Sequence, residues 1–195
     1  MKILFAVLAY FFGAVPTGYL VFRLSEKKDI RRFGSGNTGA TNVMRLKGWR
    51  HALPVVAADV LKGFLPPFLA IKFFGDHRLA LAAAFLAIVG HCYPVYIRFR
   101  GGKGVATTVG AFAAIAFVPF GLCLAVFLLT VVLTRFVSLG SILAAASFPL
   151  VVLLLGGGRE TVIWGAAVAL LIIAKHHENI GRLLHGRERK LWGEA

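Results

Sequence analysis

The sequence predicts an all-α fold: a polytopic membrane protein of about seven transmembrane helices, with its N-terminus outside and its C-terminus in the cytoplasm. Three observations predict it. Of 195 residues, 58% are hydrophobic and only 15% charged, with mean hydropathy +0.80; soluble domains run at about 45–50% apolar and about 25% charged. The apolar residues fall in long runs. The charges are lopsided, 22 Lys+Arg against 8 Asp+Glu for a formal +14. Such apolarity excludes a disordered chain. Cations set between long apolar runs argue against a soluble nucleic-acid binder, so no nucleic-acid partner is expected; the lipid bilayer is. At roughly 20 residues per crossing the length accommodates about seven spans in one domain, 1–195, with no separate soluble domain.

The spans follow in order. The first covers 3–24; its run is longer than a signal-peptide core, and no A-x-A site follows. The next two cover 52–74 and 79–97. From Val105 to Thr134 lie 30 uncharged residues, about 45 Å as one helix, too long for one comfortable crossing of a roughly 30 Å core. Pro119 and Gly121 are expected to break it into a helical hairpin. The last two spans cover 137–156 and 161–177. With seven crossings, 17 Lys/Arg fall on one side and 4 on the other; with six, the split is 12 against 9. The positive-inside rule selects seven and puts segments 23–50, 98–103, Arg135 and the tail from Lys175 in the cytoplasm.

Three of those cytoplasmic segments carry polar chemistry. The first, GSGNTGATNVMR from Gly34 to Arg45, has three glycines in six residues, which permit positive φ and a nest of N–H groups for an anion. Ser35, Asn37, Thr38 and Thr41 add donors, and Arg45 a forked charge-assisted contact. The second, Gly90 to Thr108, contains Gly101-Gly102-Lys103-Gly104 before an apolar run, a pattern suited to phosphate at a helix N-terminus. It is not a Walker A loop, because Ile97 and Gly104 stand where Gly and Ser/Thr are required. The third runs from Lys175 to Glu188 and includes His176, His177, Asn179, Arg182 and His185. If the helix continues there, His176, Asn179 and Leu183 share one face and His177 and Gly181 another. Plain alternatives stand beside each: a flexible loop, topology anchors, a solvated basic tail.

Other chemistry finds less support. Cys92 and Cys123 lie in apolar segments and read as small buried hydrophobes. His176-His177-Glu178 lacks the H-E-x-x-H spacing, so no metal and no cofactor are expected. No G-x-S-x-G elbow occurs, and no His has an acid five positions later. Asp59 and Lys62, three apart within the second span, can neutralise each other on one helix face, as a structural pair supporting a site or as a direct participant.

The ordered motifs GSGNTGATNVMR, GHCYPVYIRFRGGKGVAT and HHENIGRLLHGRE, with ADVLKG (58–63) and TRFVSLGSI (134–142), resemble those of the bacterial acyl-phosphate:glycerol-3-phosphate acyltransferases along essentially the whole chain. The resemblance implies a seven-span enzyme of the bacterial inner membrane, its active site facing the cytoplasm. It would move a fatty acyl group from acyl phosphate to the sn-1 hydroxyl of glycerol 3-phosphate, giving lysophosphatidic acid and phosphate, the first acylation of phospholipid synthesis. By resemblance, Ser35, Gly36, Asn37, Thr38, Gly39 and Thr41 take the acyl-phosphate group. Lys103, Arg45, His177 and Asn179 are the catalytic set, holding glycerol 3-phosphate together with Ser141. Asn42, Gly101, Gly102, Gly104, Ser138 and Arg182 complete the binding residues. The hydroxyl proton has two candidate acceptors, His177 or the acyl phosphate itself. A membrane transporter of a phosphorylated metabolite is the rival reading, since basic glycine-rich loops suit it too, but no internal repeat is present. A monomer suffices for either reading.

Overall fold

The computed structural model describes residues 1–192, all of whose regular structure is helical. The chain forms two compact units, Met1–Ile115 and Ala116–Ala195.

The first unit opens with α1 (Lys2–Gly13) and α2 (Thr17–Glu26), so the expected span 3–24 is a helix broken at Ala14–Pro16. Pro16 has no N–H to donate and leaves the helical region at ψ 73°, which stops one helix and starts the next. The break exposes the Val15 carbonyl, and Lys62 Nζ donates to it at 2.7 Å. A 3-10 turn, Ile30–Arg32, leads through a glycine-rich loop to α3 (Ala40–Lys47) and α4 (Trp49–Phe74). Buried Ile30 and Val43 pack with Phe22, Ala52 and Val55, which pins the turn and α3 onto their neighbours. Then come α5 (His77–Cys92), a second 3-10 turn Val95–Ile97, and α6 (Val105–Ile115). Asp76 caps α5 by accepting from the Leu79 N–H at 3.0 Å. Glycines let helices meet closely: side chains at Gly13 and Gly90 would strike Ala87 and Tyr10 backbone across α1 and α5. At Gly63 and Gly110 they would strike Thr107 and Val60 carbonyls across α4 and α6. Small residues at helix contacts are the usual solution where lipid removes the hydrophobic drive for association.

The second unit contains α7 (Phe117–Thr134), α8 (Val137–Leu154), α9 (Arg159–Lys175) and α10 (His177–Leu184). The expected break in the 30-residue apolar stretch occurs, but at Ala116, with φ −144° and ψ 67°, not at Pro119 or Gly121. Pro119 sits in the first turn of α7, where its missing N–H would have no intrahelical partner anyway. It starts a helix instead of ending one. After α10, Gly186 adopts φ +67°. Its N–H bonds the Leu183 carbonyl (3.1 Å) and that of Arg187 the Arg182 carbonyl (2.7 Å), a Schellman turn that folds the tail back. The Leu191 N–H then reaches the Arg135 carbonyl at 2.8 Å.

Among the described residues, five segments are long and apolar enough to cross a membrane: Lys2–Glu26, Trp49–Phe74, His77–Ile97, Phe117–Thr134 and Val137–Leu154. α6 is apolar but shorter, and α9, of 17 residues, falls one short of that length. Leu129, Val132, Leu133, Leu150, Leu153 and Leu154 stand exposed along α7 and α8, an apolar exterior that fits lipid. Cys92 and Cys123 are buried and form no disulfide.

Candidate functional site

The first glycine-rich segment is organised by one side chain. Asn42, buried in α3, donates to the Phe33 carbonyl at 3.1 Å and to the Asn37 carbonyl at 2.9 Å. It accepts from the Ser35 N–H at 3.0 Å. Its amide therefore holds the loop from inside. Gly34 (φ +61°) and Gly36 (φ +71°) take the left-handed conformation expected of a nest. Gly39 does not: at φ −77° and ψ 163° it is the extended N-cap of α3. Its N–H bonds Asn37 Oδ1 at 2.8 Å, and the Gly36 N–H bonds the Phe33 carbonyl at 3.0 Å. Three loop amides are thus engaged internally. The amides of Asn37, Thr38, Ala40 and Thr41 bond to no other described residue, the last two being first-turn donors of α3. Ser35 and Gly36 are exposed, Asn37, Gly39 and Thr41 half-buried, and Thr38 buried; Arg45 is exposed in the last turn of α3.

Arginine and aspartate tie this segment to the second. The Arg31 guanidinium grips Asp29 through Nε (3.0 Å) and Nη2 (2.7 Å) and donates through Nη1 to the Ile97 carbonyl at 2.8 Å. The Arg31 hydrogen bonds hold the Asp29 carboxyl below its ordinary range despite partial burial.

The second segment stands on a buried ionic cluster. Asp59 and Lys62 pair at 2.8 Å, their side chains 2% and 4% exposed. Asp59 also accepts from the Thr17 hydroxyl and lies 3.5 Å from His91 Nδ1. Against the other edge of the His91 ring rests Gly102. Gly101, half-buried, and buried Gly102 and Gly104 flank half-buried Lys103, and α6 begins one residue after Gly104. A cation thus stands beside the positive end of a helix, as the sequence leads one to expect. In the first turn of that helix, the Thr107 and Thr108 hydroxyls are buried and bond to no other described residue.

In the second unit, a residue absent from the expected set is the hub. Glu188 is buried. Its Oε1 accepts from Ser138 Oγ (3.0 Å) and Asn179 Nδ2 (2.7 Å), and its Oε2 from Arg182 Nε (2.7 Å). Burial pushes its carboxyl up, but the hydrogen bonds from Arg182, Asn179 and Ser138 more than offset that and hold it below the usual glutamate range. Three expected site residues thus converge on it. Ser141, also buried, bonds the Val137 carbonyl of its own helix at 2.8 Å. The tail is no solvated extension, because the Schellman turn delivers Glu188 to this cluster. The helix is interrupted at His176, yet His176 and Asn179 are both buried while His177 is exposed. His177 Nδ1 lies 3.0 Å from the Ala174 carbonyl; a carbonyl only accepts, so Nδ1 is the donor of that bond and Nε2 is left for another partner. Among the described residues, no group of three or more His, Cys, Asp or Glu could hold a metal ion.

Glu188 lies inside the third motif, but a buried acid 50 positions from its serine partner has no local signature in the sequence. His91 was likewise only part of a motif. Two signals were available: a lone acid among basic residues, and a histidine ten positions before a pair of glycines.

The chain is similar to known proteins along nearly its whole length. The family model described as glycerol-3-phosphate acyltransferase matches residues 3–186. A curated relative of that name from Syntrophotalea carbinolica is 44% identical over 93% of both chains. One from Endomicrobium trichonymphae is 44% identical over 98% of this chain and 96% of its own. The crystal structure of PlsY (YgiH), an integral membrane glycerol 3-phosphate acyltransferase, in its glycerol 3-phosphate form, superposes with TM-score 0.94 at 37% identity, covering 98% of this chain and 96% of that one. Its lysophosphatidic acid form gives 0.89 at 36%, covering 97% and 94%. With motifs, helices and whole-chain similarity in agreement, the chain belongs to the glycerol-3-phosphate acyltransferase family.

Proposed function

We propose that this protein transfers a fatty acyl group from acyl phosphate to the sn-1 hydroxyl of glycerol 3-phosphate. The observation that carries this reading is Lys103, held between two buried glycines at the start of α6, where cation and helix end together favour a phosphate. Acyl phosphate is a mixed anhydride with a good leaving group, so no covalent acyl-enzyme is needed. The sn-1 oxygen attacks the acyl carbonyl carbon, the bond from that carbon to the phosphate oxygen breaks, and phosphate departs. The hydroxyl proton goes to His177 Nε2 or to the departing phosphate. Lysophosphatidic acid and inorganic phosphate are the products. The chain's contribution is orientation and charge stabilisation.

In this reading, the amides around Asn37, Thr38 and Thr41 with the Ser35 hydroxyl receive the acyl-phosphate group, on a loop kept in shape by Asn42. Arg45, Lys103, His177 and Asn179 serve glycerol 3-phosphate, with Glu188 orienting Asn179, Arg182 and Ser138. Both units act as one acyltransferase domain of the bacterial inner membrane, the N-terminus outside and the glycine-rich loops on the cytoplasmic face, in keeping with the 17-to-4 distribution of Lys and Arg. Family membership favours transfer over transport of a phosphorylated metabolite.

The test is phosphate release by purified protein given glycerol 3-phosphate and acyl phosphate, with acyl-CoA and acyl carrier protein thioester in parallel. Release dependent on glycerol 3-phosphate with acyl phosphate alone is expected; equal use of a thioester overturns the donor assignment. Lys103→Ala and Arg45→Ala are each expected to reduce turnover by about a hundredfold or more, the scale of losing a preorganised charge contact; near-wild-type activity in either refutes the anion site. His177→Gln separates the proton routes. Loss of most of kcat together with the acidic limb of the pH–rate profile identifies the histidine as base, and retention of both identifies the phosphate.

A further inference from the structure

We propose that His91 is a positioning residue for the transfer reaction: wedged between Asp59 and Gly102, its imidazole sets where the Gly101–Gly104 loop, and with it Lys103, stands. The inference rests on the reading of Lys103 as a phosphate-gripping group.

Two contacts fasten the loop to His91. The His91 carbonyl, in the last turn of α5, accepts the Gly102 N–H at 3.1 Å. The ring meets Gly102 so closely that a methyl group there would overlap Nε2 and crowd the ring carbons. Gly102 is not among the residues with positive φ, so its backbone would accept alanine. What excludes a side chain at 102 is the imidazole.

The ring, in turn, has no room to yield. Behind it stands Asp59, 3.5 Å from Nδ1. The Asp59 carboxylate is fixed by Lys62 at 2.8 Å and by the Thr17 hydroxyl, and Lys62 is fixed by the Val15 carbonyl at 2.7 Å. The three ionisable groups are buried, Asp59 at 1%, Lys62 at 4% and His91 at 7% exposure. Close-packed interiors transmit a displacement and do not absorb it, so a group added at 102 moves the loop and not the ring. The loop's next residue is Lys103, and catalytic groups misplaced by about 1 Å lose on the order of a hundredfold in rate. A polar group suits position 91 because one edge of the ring faces a carboxylate, while the other edge abuts Gly102. The chain of contacts runs from the broken first span through α4 and α5 to the cation, and the ADVLKG stretch acquires a purpose in it.

Gly101 supplies an internal control. A side chain there would strike the His91 carbonyl and the Pro94 ring, neither of which depends on the identity of residue 91. The experiment is a double-mutant cycle on purified full-length protein, measuring glycerol-3-phosphate-dependent acyl transfer and the melting temperature in the same detergent. Gly102→Ala alone is expected to raise KM for glycerol 3-phosphate and lower kcat/KM about tenfold or more, with the melting temperature shifted by only a few degrees. In a His91→Ala background the same Gly102→Ala change is expected to cost less than twofold, because its obstacle is gone. Gly101→Ala is expected to cost the same in both backgrounds. His91→Gln, which keeps a polar group facing Asp59, is expected to retain more activity than His91→Ala, and it carries the cycle if the alanine variant does not accumulate. Independent, multiplying effects of positions 91 and 102 overturn the proposal, as does a loss of activity that simply tracks the melting temperature. Retained activity in Lys103→Ala overturns the phosphate reading instead, while the coupling between 91 and 102 is read separately.

Discussion

Asp59 in the first unit and Glu188 in the second solve the same problem differently. Each is a buried carboxylate with three polar partners: Thr17, Lys62 and His91 in one case, Ser138, Asn179 and Arg182 in the other. Asp59 lies within a membrane-length helix, and its cation Lys62 is as buried as it is, at 4% exposure. Glu188 lies beyond the last helix, and its cation Arg182 is 35% exposed. Inside a span a carboxylate must bring its full countercharge with it, since water cannot help. Outside the membrane-length helices, two neutral donors and a half-wet guanidinium suffice.

The largest effect that follows is in the span. Lys62→Ala leaves the Asp59 charge buried without its cation and is expected to destabilise the protein by about 3–5 kcal/mol, read as a large fall in melting temperature. Glu188→Ala is expected to cost less, about 1–3 kcal/mol, because water can reach Arg182, while kcat/KM falls through misplacement of Asn179. Equal destabilisation by the two would break the comparison.

The smallest effect sharpens it by titration. The Glu188 carboxyl is held below its ordinary range, so its contribution is complete above the unfolded value of about 4.3 and is lost as pH falls through the lower folded value. The melting temperature of the wild type is expected to exceed that of Glu188→Gln near neutrality, and the gap to close as pH drops below about 4.3. A gap independent of pH would show that hydrogen-bond shape and not charge governs the hub.

The two carboxylates also mark how far reading the chain can go. Spans, loops and the Lys103 helix start were legible because each is a local pattern: an uncharged run, a glycine cluster, a cation before an apolar helix. Asp59 with Lys62 was legible as well, three residues apart on one helix face. Glu188 was not, because its partners stand 6, 9 and 50 positions away and no periodicity connects them. The helix break at Ala116 was misplaced for a related reason. Proline marks a first turn as readily as a stop, and the difference lies in which amides already lack partners. In sequence Gly102 reads as part of a phosphate-binding pattern, whereas in the fold it is also a gap shaped for the His91 ring.

The turn at Gly186 also governs timing. Ser138 is synthesised 50 residues before the glutamate that completes its hydrogen bond, a delay of roughly 3–10 s at about 5–20 residues per second. Through that interval the second unit can insert its helices but cannot assemble its polar hub. The turn that carries Glu188 is therefore the latch of this unit, and a chain interrupted ahead of it would hold α7, α8 and α9 with the polar hub unassembled.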